Sequence, residues 1–217
     1  MQKVYCFSGL GADERVFKCI ELPGVEMVHI RWLPPERHEP LGAYARRLLA
    51  QIDAQRPVTL LGVSFGGIVA QEVAALLPCR KVIILSSIKG PQEMPRTISL
   101  VRLTGVHRLV PGWLLKAGNT LTGDYYFSIL TREEARLLRQ IIRDTDPAFL
   151  RWAVNEVVRW QPTTPVPGLV HFHGTADRIF PTSRIRNFIP IPGGGHFMVV
   201  QQAALLSRLI AGALHQS

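Results

Sequence analysis

Apolar residues in this chain gather in short runs separated by turn formers, and the spacing inside each run predicts its type. Lys3 to Phe7 is a β-rich run that stops at Ser8-Gly9-Leu10-Gly11, a turn-forming stretch. Glu26 to Trp32 predicts a second strand, ended by Pro34-Pro35. From Leu41 to Ala54 the period changes. Leu41, Tyr44, Ala45, Leu48, Leu49 and Ile52 recur at helical spacing with arginines opposite, so a helix is expected. Pro57 to Gly62 is an apolar strand, and Phe65 to Leu77 a helix closed by Pro78. Lys81 to Ser86 and Leu169 to His173 read as strands, and Arg186 to Ile191 as a weaker last one. A closing helix is expected over Met198 to Leu214.

Strands that alternate with helices, several nearly continuous in Val, Ile and Leu, predict an α/β fold: a mostly parallel sheet covered on both faces. The count is about six strands, an ordinary sheet size. Residues 89–161 break the rhythm with prolines and helical stretches, notably Arg132 to Arg143 and Pro147 to Trp160. This segment reads as a helical cap inserted in a single domain spanning 1–217. Thr131 followed by Glu133 and Glu134 is a good helix start, with acids in the first turn.

Composition adds exclusions. At 217 residues with 47% hydrophobic and 19% charged, the chain can bury a real core and is not of the disordered class. No apolar run approaches the roughly 20 residues needed to span a bilayer. Met1-Gln2-Lys3 runs directly into a strand, so no secretory leader is read and a cytoplasmic location is the default expectation. Cys6, Cys19 and Cys79 are odd in number and widely spaced, which argues against a disulfide framework or a zinc site. The net charge of +9 comes from 25 Lys and Arg against 16 Asp and Glu, scattered along the chain. With no nucleic-acid motif beside them, these charges read as a solvated basic surface more readily than as a nucleic-acid footprint.

The most informative stretch is Gly62-Val63-Ser64-Phe65-Gly66-Gly67, a G-x-S-x-G pattern between a predicted strand and a predicted helix. Alone, the pattern also describes a flexible loop. In its strand-to-helix setting it predicts a sharp turn that lifts the Ser64 hydroxyl above the sheet edge. Gly62 and Gly66 then allow the two elements to cross closely. The amide of Phe65 opens the helix and points at the site, where it can serve as half of an oxyanion hole.

On these residues the chain resembles the α/β-hydrolase superfamily, in particular its short single-domain esterases, lipases and thioesterases. The first antiparallel strands of larger members are missing. The resemblance implies a Ser-His-Asp triad in the order Ser64, Asp177, His196. His196 sits in Gly193-Gly194-Gly195-His196-Phe197, like the family's late Gly-Gly-His-Phe loop, and is the expected base. Asp177, in Gly174-Thr175-Ala176-Asp177 with Pro181 beyond, matches the family's G-x-x-D loop and is the expected partner of the imidazole. The separation of 19 positions from Asp177 to His196 is small for the family, so the intervening helix must be abbreviated. Relatives place a second oxyanion donor after the first strand, often in a His-Gly turn; here Ser8-Gly9-Leu10 stands there, which assigns the amide of Leu10. Asp124, Asp144 and Asp146 are alternatives to Asp177, but all three fall in the cap. His29, His38, His107 and His215 read as structural or solvated. His171 and His173 lie on the late strand; His173, at the strand end, is near enough to line the site, but packing there is the favoured reading.

The implied chemistry is two-step acyl transfer on a small ester or thioester, with no metal or organic cofactor. Apolar cap residues, among them Val106, Leu109, Trp113, Leu114, Tyr126, Phe127, Phe149 and Trp152, pack the cap itself or line an acyl pocket. Rival readings within the fold are a thioesterase, a carbon–carbon bond hydrolase, a cofactor-free haloperoxidase or a hydroxynitrile lyase. A ligand-binding member without turnover is the non-enzyme alternative. Dehalogenases and epoxide hydrolases are disfavoured, because those relatives carry aspartate where Ser64 stands. Oligomeric state is not readable from the sequence.

Overall fold

A computed structural model describes residues 2–105, 110–162 and 164–215. Val106, His107 and Leu109 of the expected cap lie outside the described residues. The core is a six-stranded sheet in the order β2-β1-β3-β4-β5-β6, parallel throughout. Its strands are β1 (Gln2–Phe7), β2 (Val25–His29), β3 (Val58–Val63), β4 (Cys79–Leu85), β5 (Val170–Gly174) and β6 (Ile189–Ile191). The helices are α1 (Leu41–Leu48), α2 (Phe65–Ala74), α3 (Arg96–Thr104), α4 (Gly112–Tyr126), α5 (Arg132–Asp144), α6 (Pro147–Arg159), α7 (Met198–Gln201) and α8 (Ala203–His215). The chain order reverses direction at β1 and β3, which opens a crevice beyond the carboxyl ends of those strands.

Strand alternation builds a core on each face. Tyr5, Phe7, Leu60 and Ile84 point to one side, where they meet α1, α2 and α6. Val4, Cys6, Leu61, Ile83 and Leu85 point to the other, against Leu206 and Ile210 of α8. Such central strands are apolar along their whole length because neither face meets water. Cys6 is buried in this core, which raises its thiol pKa far above the ordinary range; Cys19 and Cys79 are also free thiols.

Several element ends differ from the sequence reading. Helix α1 stops at Leu48 and tightens into a 3-10 turn over Leu49–Gln51. Gln51 is occupied elsewhere: its side chain bonds the Arg31 amide and carbonyl at 2.9 and 3.0 Å. The Asp53 amide donates to the Tyr5 hydroxyl at 2.9 Å, so the chain leaves the helix there. Strand β2 ends at His29 because Trp32 turns inward to an aromatic cluster with Phe7, Tyr44, Phe65 and Phe149. The closing helix is interrupted at Gln202, whose ψ of 34° separates α7 from α8.

Helices α3 to α6 fall between β4 and β5. Thr131 caps α5 by accepting from the Glu134 amide at 3.2 Å, as the acid-rich first turn predicts. Phe149 and Trp152 of α6, expected to pack a cap or line a pocket, instead join the main core beside Tyr44 and Phe65. Among the described residues, no helix is long and apolar enough to cross a membrane.

Candidate active site

Ser64 occupies the turn between β3 and α2 with φ 53° and ψ −119°, a conformation L-residues adopt only under constraint. The constraint is visible on both sides. Its amide donates to Leu85 O at 2.9 Å, and its carbonyl accepts from Ser87 Oγ at 2.7 Å. Around this turn the backbones touch. A Cβ on Gly62 would sit 2.4 Å from Gly66 O, and one on Gly66 would sit 2.2 Å from both Phe7 O and Ser8 O. Those obstacles are main-chain atoms that cannot rotate away. Gly66→Ala is therefore expected to destabilise the fold by about 3 kcal/mol or more, read from urea or thermal unfolding; a loss under about 0.5 kcal/mol would show the crossing to be looser than described.

His196 connects the two other predicted residues. Its Nε2 lies 2.9 Å from Ser64 Oγ and its Nδ1 2.8 Å from Asp177 Oδ2. The short spacing between Asp177 and His196 is met by dropping the expected helix altogether. The chain passes from β5 to β6 through turns around Pro181–Arg184. Asp177 Oδ1 accepts from the Ile179 and Phe180 amides at 2.8 and 2.9 Å, so both carboxylate oxygens are engaged. Burial alone would raise its pKa. The neighbouring His196 and the backbone donors outweigh that and hold it below the usual carboxylate range.

The alternative acids have other work. Asp146 caps α6, Asp144 pairs with Arg15 at 3.0 Å, and Asp124 with Arg139 at 3.4 Å. Asp13 caps the turn at Glu14–Phe17 and pairs with Arg15, so neither is spent on the site.

The two proposed amide donors stand close to the serine. Phe65 is the first residue of α2, where an amide has no carbonyl one turn earlier to bond. Leu10 follows Gly9, which passes so near that a Cβ there would be 3.8 Å from Ser64 Cβ. Ser8 Oγ donates to Ala12 O at 2.7 Å and Ala12 N to Gly9 O at 3.0 Å, which fixes this loop without the histidine common in relatives. Thr145 Oγ1 lies 2.9 Å from Gly11 O and anchors the loop from the end of α5.

With this geometry in view, comparison with known proteins becomes informative. A profile of the alpha/beta hydrolase family matches residues 4–209. The chain belongs to this family. No curated relative matches it in sequence. Among solved structures, an esterase from Exiguobacterium antarcticum superposes with a TM-score of 0.75 at 14% identity, over 100% of this chain and 92% of that one. MenH from S. aureus gives 0.71 at 16% identity, over 98% of this chain and 93% of that one. A bromoperoxidase from Bacillus anthracis gives 0.69 at 14% identity, over 99% and 92%. At such identities these likenesses establish the fold alone.

Two further features lie beside Ser64 and Asp177 in this alpha/beta hydrolase, and the first takes in Tyr126 and Phe127, two of the residues expected to pack the cap or line a pocket. The first is a cavity of about 1100 Å³ that opens onto Ser64 and His196. Its walls are mostly apolar, from Leu138, Ile141, Leu150, Val154 and Val158 of α5 and α6, with Tyr126 and Phe127 from the end of α4. The second is a buried chain of histidines behind Asp177. Lys89 Nζ lies 3.1 Å from His171 Nδ1, His171 Nε2 lies 3.1 Å from His173 Nδ1, and His173 Nε2 lies 2.8 Å from Phe180 O. An ammonium only donates and a carbonyl only accepts, so both ends impose the same direction. Each ring is neutral, with its proton on Nε2. Burial lowers the pKa of both: His171 falls to about 2, helped by Lys89, and His173 falls despite Asp177 Oδ2 at 3.6 Å. His173 thus packs behind the site, as its strand-end position suggested, and also braces the Asp177 turn through Phe180. Among the described residues, no group of His, Cys, Asp and Glu is placed to hold a metal.

Proposed function

We propose that this chain is a serine hydrolase that cleaves carboxylic esters through an acyl-enzyme. The observation that supports this most directly is His196 within hydrogen-bond reach of both Ser64 Oγ and Asp177 Oδ2. His196 takes the serine proton as Oγ attacks the carbonyl carbon, and the resulting oxyanion faces the amides of Leu10 and Phe65. Collapse expels the leaving group, which receives the proton from His196. Water, deprotonated by the same imidazole, then attacks the acyl-enzyme and releases the acid. Asp177 holds the His196 proton on Nδ1 and favours the imidazolium that forms. These steps call on no metal or organic cofactor.

Residues 89–161 act in this reading as the cap over the acyl site, and the apolar walls from α5 and α6 favour an acyl chain over a polar acid. A thioester would react through the same groups, so the ester and thioester readings differ only in the leaving atom. Labelling by a fluorophosphonate probe, lost in the Ser64→Ala variant, tests the nucleophile. Hydrolysis of p-nitrophenyl esters of graded acyl length then separates an enzyme from a binding protein. Probe labelling without turnover of any ester or thioester would favour the binding protein.

Asp177→Asn is expected to lower kcat by about 10⁴-fold while leaving KM within severalfold. An amide turned with its NH₂ toward Nδ1 stabilises the tautomer that cannot accept the serine proton. Retention of more than a tenth of the activity would remove Asp177 from the mechanism.

A further inference from the structure

Three arginines, Arg96, Arg178 and Arg184, are among the described residues that line the cavity, and no Asp or Glu is among them. We propose that the site takes an apolar acyl group joined to a leaving group bearing several phosphate charges. This rests on Ser64 being the nucleophile. The position of the charges follows from the gradient of exposure. Leu138, Ile141, Leu150 and Val158 are buried, whereas Arg96 and Arg178 are exposed, so the cavity is apolar inward and cationic at its mouth.

None of the three arginines has an acidic partner among the described residues. Arg178 is fixed without one: it donates to Tyr125 O at 2.9 Å and its Cζ lies 4.3 Å from the Tyr125 ring centroid. That arrangement holds a guanidinium in place and leaves its charge uncompensated. Arg184 has a buried Nε with no hydrogen-bond partner, a state that a bound anion or the reorientation it induces would relieve. Three unpaired cations exceed what one carboxylate needs, and guanidinium forks match phosphate oxygens. The overall charge of +9 draws such a substrate toward the opening.

In this reaction the serine Oγ–carbon bond forms as the carbon–sulfur or carbon–oxygen bond to the leaving group breaks. The leaving group takes the proton held by His196 and departs past the arginines, and water releases the acyl chain as its acid.

The test holds the acyl chain fixed and varies the phosphates: the coenzyme A thioester, the 4′-phosphopantetheine thioester and the neutral N-acetylcysteamine thioester. At low salt, kcat/KM is expected to rise with phosphate number, by about tenfold or more from the neutral to the coenzyme A thioester. That ratio is expected to contract toward one in about 0.5 M salt, and to contract in the double variant R96Q/R184Q. Binding of free coenzyme A to the Ser64→Ala protein, followed by calorimetry, reads the same recognition without turnover and without altering the arginines. Equal kcat/KM across the three thioesters, or a ratio and an affinity indifferent to salt, overturns the proposal and leaves the serine-hydrolase reading standing. Absence of fluorophosphonate labelling at Ser64 removes that reading, and this inference with it.

Discussion

Replacing Ser64 with alanine is expected to reduce ester turnover by about 10⁶-fold, to the residual rate that oriented donors alone provide. The substitution deletes one oxygen. It keeps the φ of 53° that the turn imposes, because alanine meets the same backbone cost as serine there. The bonds that shape the turn, from its amide to Leu85 and from Ser87 to its carbonyl, involve only main-chain atoms of residue 64. Among the described residues, the side-chain hydrogen bond lost is the one to His196, at the open cavity where water can replace it. Stability should therefore change by no more than about 1 kcal/mol. Unfolding in urea, run beside the rate measurement, separates loss of chemistry from loss of fold. Turnover within tenfold of the parent in a folded variant would end the assignment of Ser64.

A second large effect is expected from acid. His171 and His173 are held neutral, with pKa values below the ordinary value of about 6.5 that they regain on unfolding. Below that pH the unfolded chain binds protons that the folded chain refuses, so stability falls as pH falls. The loss begins near pH 6.5 and continues toward the folded values, which for His171 means about 2. For His171 it amounts to roughly 1.6 kcal/mol between pH 6.5 and 5, and His173 adds to it in the same direction. His29 is shifted in the same direction by partial burial, and its more exposed ring adds less. Asp177 lies outside this window. Its depressed pKa contributes stability that is complete above about 3.9 and lost only as pH drops through the folded value. Urea midpoints taken between pH 7 and 5 check the expectation. A flat series would mean that the buried rings accept protons in place.

The sequence was most legible where a local pattern had one structural solution. Continuous apolar runs such as Val58–Val63 meet the demand of a strand covered on both faces, and Gly62, Ser64 and Gly66 announce a crossing that only glycines permit. That Asp177, His196 and Ser64 come within hydrogen-bond distance was readable from motifs, whereas the small separation of Asp177 and His196 was misread as a shortened helix where the chain uses turns. What stayed hidden depended on distant residues meeting. Helix α1 ends where Gln51 and Asp53 bond groups near β1 and β2, far back along the chain. Phe149 and Trp152 carry no mark of whether they face a pocket or the core. Arg96, Arg178 and Arg184 are ordinary surface arginines in linear order, and only the folded cavity gathers them. Lys89 and His171 likewise show no relation until β4 and β5 are adjacent.

The tie between Thr145 and Gly11 limits how this chain can be remodelled. A Cβ at residue 11 would lie 2.3 Å from Thr145 Oγ1, and Gly11 itself has a φ of 68°. Residues 11 and 145 must therefore be exchanged as a unit. A chimera that imports α5 from a related protein, with a bulkier group at 145, would displace the turn that carries Gly11.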